Sequence, residues 1–489
     1  MSHTAHHDPH AVATTTVPPA SAGERRSWSV LAVALAAQLL VVLDISVVNT
    51  ALPSIGTALS LGSSDLQWIV TAYLLLSGGG LLLGGRIADL LPRRLVFLTG
   101  LSIFTTASLA SGLASSAGML IASRATQGLG AALMTPAALS LIMTTYAGAQ
   151  RAKGLALWGA LGSMGVAAGV VFGGALTTWA GWQMIFWINV PVGAAAFVAG
   201  RVLIPQDPAT TGGLRELDLP GAIAAVSGLA ALLLAIQGAG DHGWVSVRTL
   251  SLFGVAVALF GAFPRIERRV RRPLVPPHTW KVKTLVSGTT VMFGVTGVLV
   301  GAIFLTSVFV QTALGYSALQ TGLAVLPLAA VMTLSAHVAS HLLGRHTPRS
   351  IAVVGLVVAA SGAVLLSRAT ATSSYLTGLL PGLVILGVGA GVVFVAVSVS
   401  AMAGIPAQHA GMASGFLMTG HEVGAAVGVA VVSAVATTAG SLTNVAGATS
   451  GFGRGLLAIA VMCVASAAVA FVTMPKVRIA AGAGMHMHH

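Results

Sequence analysis

Three ionisable residues interrupt long apolar runs, and they are the side chains of this sequence best placed to do chemistry. Asp44 lies in LVVLDISVVNTALP, Arg124 lies in RATQGLGAA, and Glu422 lies in GFLMTGHEVGAAVG. A charge inside such a run costs several kcal/mol unless it faces a cavity or a partner. Two carboxylates and a guanidinium can hold protons and charged ligands, so each of the three is a candidate for a functional site.

Asp44 and Arg124 are predicted to lie at the same depth. Asp44 is about six residues, or about 9 Å, from the end of the first predicted helix, and Arg124 is about five residues from the same side in the fourth. If the two helices touch, the two charges are able to form an ion pair. The guanidinium would favour an ionised Asp44 and burial would favour a protonated one, which suits a group that binds and releases a proton. A permanent ion pair that fixes helix packing is the alternative.

Glu422 lies about eleven residues into its predicted helix, near the middle of the run, and no Lys or Arg is close to it in sequence. A carboxylate at that depth suggests a site for a cationic ligand, a second proton or both. The alternative is a protonated carboxyl that hydrogen-bonds a neighbouring helix. His421 and Glu422 begin an HExxH pattern, but Ala425 stands where the second His is required, so a zinc hydrolase is excluded.

Metal and nucleotide sites are not predicted. His337 and His341 are four residues apart on one helix face, but no third ligand accompanies them. None of the four lysines follows the glycine pattern of a P-loop, which argues against ATP-driven chemistry by this chain.

The composition places most of the chain in lipid. Of the 489 residues, 56% are hydrophobic and 7% are charged, whereas roughly a quarter of a soluble domain is charged. The mean hydropathy of +0.92 leaves no residues for a polar shell. A water-soluble fold is therefore excluded, and the single Cys463 excludes a disulfide within the chain.

Fourteen apolar runs are long enough to cross a bilayer as helices. They are 29–50, 67–84, 95–114, 119–144, 154–177, 182–203, 219–237, 249–264, 285–308, 319–341, 351–367, 376–402, 411–438 and 453–473. With a cytoplasmic N-terminus, all of the 24 Lys and Arg residues fall on the cytoplasmic side except Arg124, Arg248, Arg368 and Arg454. The net charge of +13 is therefore a topology signal, and nucleic acid is not an expected partner.

The longest cytoplasmic connection, Pro264 to Lys283, separates eight predicted helices from six. If the seventh and eighth are an inserted pair, six plus six remain, which is the architecture of transporters that rock around a central site. The expected organisation is a disordered cytoplasmic tail at 1–28, a six-helix bundle at 29–204, two inserted helices with a basic linker at 205–284, a second six-helix bundle at 285–474 and a cytoplasmic tail at 475–489.

Several motifs fall in the order found in one transporter family. LDISVVNTALP resembles L-D-x-T-V-V-N-x-A-L-P, and GGRIADLLPRR resembles G-x-L-x-D-R-x-G-R-R/K, with Leu90 and Pro92 as departures. RATQGLGAA is similar to a proton-transfer motif of the fourth helix. The fifth helix resembles G-x(3)-G-P-x(2)-G-G with Val170 in place of Pro, and GWQMIFWINVPVG follows. The chain thus resembles the fourteen-helix drug:proton antiporters of the major facilitator superfamily from residue 29 to 475.

The resemblance implies an all-α polytopic membrane protein with two six-helix bundles and two inserted helices. It implies a proton-coupled exporter of lipophilic, often cationic, drugs or antibiotics, not an enzyme, that works without a cofactor or metal on the proton motive force. The implied residues are, for proton coupling, Asp44, Arg124 and Glu422; for substrate, Asp44, Asn49, Gln127, Asn189 and Glu422; for gating, Gly85, Asp89, Arg93 and Arg94; and for a conformational hinge, Gly165, Gly169, Gly173 and Gly174.

The expected partners are the lipid bilayer, protons and a small amphipathic drug-like molecule, and the expected state is a monomer in a bacterial inner membrane with both termini cytoplasmic. A proton-linked importer and a non-transporting receptor on the same scaffold remain alternatives. An importer usually needs several polar contacts to a hydrophilic solute, whereas these helices offer mostly apolar side chains. A receptor would not need both Asp44 and the gating loop.

Overall fold

The structure, a computed structural model, describes residues 28–476 apart from 147, 207–216, 271–272, 276–278, 344, 404 and 406–409. The predicted tails at 1–28 and 475–489 lie almost entirely outside the described residues. The described part of the chain is helical throughout, so the all-α prediction is confirmed. Its helices are α1 Ser29–Leu59, α2 Ser63–Leu90, α3 Arg93–Gly112, α4 Ala117–Thr145, α5 Gly148–Ala180, α6 Met184–Trp187, α7 Asn189–Leu203, α8 Leu219–His242, α9 Val247–Glu267, α10 Lys283–Thr312, α11 Ala318–Leu342, α12 Pro348–Leu366, α13 Leu380–Met402, α14 Ala410–Thr437 and α15 Val445–Thr473.

Within the described residues, 13 helices are long and apolar enough to cross a membrane, counting α6 and α7 as one. The 33 residues of α5 are also long enough for a span. Side chains cap several helices at their starts: Ser116 accepts a hydrogen bond from the Met119 N–H at α4, and Ser317 and Gln320 form a capping box at α11. Caps satisfy N–H groups that have no partner within the helix, and they define where each span begins.

The first predicted span was too short, because the structure continues α1 through Pro53 to Leu59. Proline removes one backbone donor, but neighbouring helices and local adjustments tolerate it inside a membrane helix. The run predicted at 182–203 is one of these spans, Met184–Leu203, in which the helix assignment breaks at Ile188 although its backbone angles stay right-handed helical. A short α6 leads into α7, with Ile188 and Asn189 at the junction.

Two groups of helices, α1–α7 and α10–α15, contact each other across a seam formed by α5 against α11 and α2 against α14. α8 packs against α2 and α14 on either side of this seam, and Gln237 on α8 donates a 2.9 Å hydrogen bond to the Thr71 hydroxyl on α2. α9 packs mainly on α8 and presents most of its surface outward.

The two groups are joined near the face that the charge distribution predicts to be extracellular. The Gln311 side-chain amide donates to the Thr50 carbonyl at 2.8 Å, and the Leu319 N–H donates to the Thr178 hydroxyl at 3.1 Å. All four residues lie in the halves of α1, α5, α10 and α11 nearest this predicted outer face. The conformation is therefore closed toward the predicted outer face.

Gly174 on α5 permits a close approach of the two halves, because a Cβ there would lie 2.4 Å from the carbonyl oxygen of Ala318 on α11. Replacing Gly174 by Val is expected to separate the helices and destabilise the closed seam by roughly 1–3 kcal/mol. A cysteine introduced by Ser54→Cys, beside the outer cavity of about 420 Å³, should then react faster with a membrane-impermeant maleimide on whole cells. Gly118→Val is the matched control, because nothing lies within 4 Å of a Cβ at Gly118. Equal labelling rates in both variants would contradict the assignment.

Candidate functional site

The centre of the site is a buried ion pair between α1 and α4. The Arg124 Nη1 lies 2.5 Å from the Asp44 Oδ2, and each residue is 1% exposed. The two helices contact each other directly, so the predicted equal depth of the two charges does bring them together. A buried pair is tolerated when its geometry is good and its remaining polar atoms are satisfied by further hydrogen bonds.

Those further bonds come from Gln127 and Asn189. Gln127 lies three residues after Arg124 on the same face of α4. Its Nε2 donates to the Asp44 Oδ1 at 2.7 Å, and its Oε1 accepts from the Arg124 Nη1 at 2.6 Å. Asn189, at the start of α7, donates to the same Asp44 oxygen at 3.3 Å. Ser108 on α3 accepts hydrogen bonds from both amides, at 2.6 and 3.1 Å.

Both oxygens of Asp44 therefore accept hydrogen bonds from side chains of other helices. Protonation would remove the charge on which the bond from Arg124 depends. A change in the charge of Asp44 would thus alter contacts among α1, α3, α4 and α7.

Arg124 has partners that sequence reasoning missed. Its Nε donates to the Ile69 carbonyl at 3.2 Å, and its guanidinium carbon lies 4.4 Å from the centre of the Tyr73 ring and 5.7 Å from that of Phe186. Tyr73 is a polar side chain within an apolar run, and this is the signal by which it could have been found. Sequence alone could not predict that the face of the Tyr73 ring lies against Arg124.

Glu422 lies near the middle of α14 and points toward α2 in the other half. Its Oε2 accepts a 3.3 Å hydrogen bond from the Ser77 hydroxyl, and its Oε1 lies 3.5 Å from the Nδ1 of His421. The helices are close at this point, because a Cβ at Gly78 would lie 2.6 Å from the Glu422 Cβ. The side chain remains 13% exposed, so Glu422 is a partly accessible carboxylate on the seam. Ser77 was not predicted.

Glycines on α5 let it pack closely against α1, the helix that carries Asp44. A Cβ added on α5 would lie 2.7, 2.6 and 2.6 Å from a side-chain atom on α1 for the pairs Gly165 with Val42, Gly169 with Ser46 and Gly173 with Thr50. The pairs advance by four residues on both helices, so one face of α5 follows one face of α1. The structure therefore shows close packing at these predicted hinge positions, and hinge motion stays a prediction.

The predicted gating residues lie around the end of α2 and the start of α3. An Arg86 nitrogen is 3.8 Å from an Asp89 oxygen, and the Asp89 side chain is 63% exposed. Arg94 donates a hydrogen bond to the Arg201 carbonyl at the end of α7. Arg93, beside it, begins α3. The latch between Asp89 and these arginines stays a prediction.

The remaining predicted residues lie beside this network. The Asn49 Nδ2 donates to the Ile45 carbonyl at 2.9 Å, and its buried Oδ1 has no partner among the described residues. Gly85 on α2 lies against Pro136 of α4. His337 and His341 place their Nε2 atoms 3.4 Å apart, and no group of three potential metal ligands occurs in the described residues.

Two helical halves, the first with a buried ion pair in its interior and the second with a partly accessible carboxylate on the seam, form the architecture expected of a polytopic membrane transporter. The chain matches the family model of the Major Facilitator Superfamily over residues 34–429 and belongs to that family. It is 38% identical over 417 residues to the puromycin resistance protein of Streptomyces alboniger, covering 84% of this chain and 82% of that protein. It is 36% identical to the cephamycin export protein of Amycolatopsis lactamdurans, covering 89% and 90%.

Among solved structures, a bacterial homologue of the human lysosomal transporter Spinster, inward-facing and occupied, aligns with a TM-score of 0.63 at 18% identity, covering 92% of this chain and 96% of that one. This similarity shows the fold. The predicted major facilitator architecture is therefore confirmed, and the chain is a transporter rather than an enzyme.

The stability of the buried pair can be tested by removing one charge or both. Asp44→Asn leaves Arg124 buried without a counterion and is expected to cost about 3–5 kcal/mol of stability. The double variant Asp44→Asn with Arg124→Gln should recover much of that loss. Thermal unfolding of the purified protein in detergent would measure both effects. Equal melting temperatures for the single and double variants would show that Arg124 does not depend on Asp44.

Proposed function

We propose that this protein is a proton-coupled exporter of lipophilic, often cationic, drugs or antibiotics that works by alternating access. The observation that carries the proposal is the buried Asp44 carboxylate, held at 2.5 Å by Arg124 and bonded by Gln127 and Asn189. The names of the relatives add support, since they describe puromycin resistance and cephamycin export. The proton motive force would supply the energy without a bound cofactor, in the plasma membrane of a bacterium.

In the proposed cycle, the present conformation follows release of a proton to the cytoplasm. It is closed toward the predicted outer face, and Asp44 is fully engaged by its donors. In the outward-facing state a proton binds Asp44 and weakens its bond to Arg124. The return to the inward-facing state delivers the proton and lets the drug bind. Contacts of α1 with α5, and of α5 with α11, connect Asp44 to the seam that must open.

Glu422 would contribute to substrate binding in this proposal. It lies on the seam, it is partly accessible, and a neutral hydroxyl from Ser77 is the partner that faces it across the seam. A carboxylate in such surroundings can attract a monovalent organic cation from the open side. Asp89, Arg93 and Arg94 would close the cytoplasmic side in the outward-facing state, and the transporter would act as a monomer with both termini cytoplasmic.

Asp44→Asn tests proton coupling directly. In inside-out vesicles with an acidic lumen, the wild-type protein should accumulate a drug while protons leave, and the variant should lose this exchange because position 44 can no longer titrate. Puromycin uptake and lumenal pH would be measured together. Asp65→Asn is the matched control, because Asp65 accepts a bond at the start of α2, away from the ion pair. Wild-type exchange by Asp44→Asn would refute the assignment, and inward movement of drug together with protons in intact cells would identify an importer.

Glu422→Gln separates a substrate role from a proton role. Loss of one charge-assisted contact is expected to raise KM for a monocationic dye such as ethidium by about tenfold or more, with little change for a neutral drug. Transport rates across a concentration series of each compound provide the measurement. If neither compound is affected, Glu422 binds no substrate charge, and if both lose proton exchange equally, it carries a coupling proton instead.

A further inference from the structure

Tyr73 lies on α2, the helix that contacts Arg124 in the first half of the protein and Glu422 in the second. It is 1% exposed, and its ring lies 4.4 Å from the Arg124 guanidinium carbon. A Cβ at Gly128 would lie 2.3 Å from the Tyr73 carbonyl oxygen, so the backbones of α2 and α4 are almost in contact here. The backbone of Tyr73 is therefore fixed against α4, and its ring lies against the charge of Arg124.

The charged groups around Tyr73 come from three helices. Arg124 on α4 lies against its ring, Arg124 pairs with Asp44 on α1, and Glu422 lies on α14. One turn further along α2, Ser77 donates its hydrogen bond to Glu422. The titratable His421 is next to Glu422, and the Tyr73 hydroxyl has no hydrogen-bond partner among the described residues. α2 is thus the helix that contacts both the ion pair and the carboxylate on the seam.

An aromatic face does not interact equally with the two protonation states of this site. The negative face of the ring attracts a guanidinium, and the attraction grows when the cation is removed from water. While Asp44 is ionised, its negative charge offsets part of this attraction. Once Asp44 is protonated, Arg124 is a buried cation without a counterion, and the Tyr73 ring stays with it beside two neutral acceptors, the Ile69 carbonyl and the Gln127 side-chain oxygen.

We propose that Tyr73 is a positioning residue for proton coupling: its ring stabilises Arg124 when Asp44 is protonated and so makes protonation of Asp44 possible at a higher pH. This inference rests on the proposed antiport function, and it adds a residue to the coupling step. The ring carries the effect. The hydroxyl is not required for it.

Variants at position 73 separate the ring from the hydroxyl. Tyr73→Leu should move the midpoint of the pH dependence of drug and proton exchange to lower pH by about 0.5–1.5 units, because protonation of Asp44 loses the support of the ring. Tyr73→Phe retains the ring and should have the same midpoint as the wild-type protein. A fluorinated phenylalanine at position 73, which keeps the shape but depletes the negative face, should behave like Tyr73→Leu. Phe186→Leu, whose ring lies 5.7 Å away, should give a smaller shift.

A second measurement does not depend on transport. In the Asp44→Asn background Arg124 has no counterion, so Tyr73→Leu should lower the melting temperature further there than in the wild-type background. Equal losses in the two backgrounds, or a Tyr73→Leu variant with the wild-type midpoint and only a lower maximal rate, would overturn the inference. If the wild-type protein exchanges no protons, the proposed function fails, and the unfolding comparison still decides whether Tyr73 supports the unpaired Arg124.

Discussion

The structure depends on one electrostatic constraint, which is that a charge within an apolar helix needs a partner at the same depth. Asp44 and Arg124 meet this requirement at 2.5 Å, and the requirement extends outward from them. Arg124 donates to one carboxylate oxygen, the other accepts from Gln127 and Asn189, and these two amides also donate to Ser108. Four helices are consequently tied to one titratable group.

Close helix packing carries the effect of that group beyond its hydrogen bonds. Three glycines of α5 follow three residues of α1 at four-residue steps, and Gly174 continues the same helix into contact with α11 in the other half. Small residues allow such approach without a hydrophobic driving force, which lipid does not provide. Because α1 and α5 are in direct contact, a shift of α1 on protonation of Asp44 would displace α5 as well. The seam between the halves is therefore connected to Asp44 by directly packed helices.

Sequence alone predicted the features that follow from rare residues and fixed helix geometry. Asp44 and Arg124 could be paired because charges in apolar runs are scarce and each residue advances a helix by about 1.5 Å. The partners of Glu422 could not be predicted, because Ser77 resembles any other small polar residue of a membrane helix. The extension of α1 past Pro53 was missed for a similar reason, since the neighbouring helices that tolerate a proline are visible only in the fold.

α2 shows why these missing residues matter for mechanism. Its Ile69 carbonyl and Tyr73 ring contact Arg124, its Ser77 contacts Glu422, and its glycines admit α4 on one side and α14 on the other. One helix thus contacts both Glu422 and the Arg124 partner of Asp44, although the two carboxylates lie in different halves. The backbone of α2 packs closely against α4 at Gly128, so α2 belongs to the first half, whereas Glu422 belongs to the second. In the proposed alternating-access cycle, opening of the seam at this depth would break the bond from Ser77 to Glu422 and leave Tyr73 against Arg124, so the proposed substrate contact and the proposed proton contact would separate along a single helix.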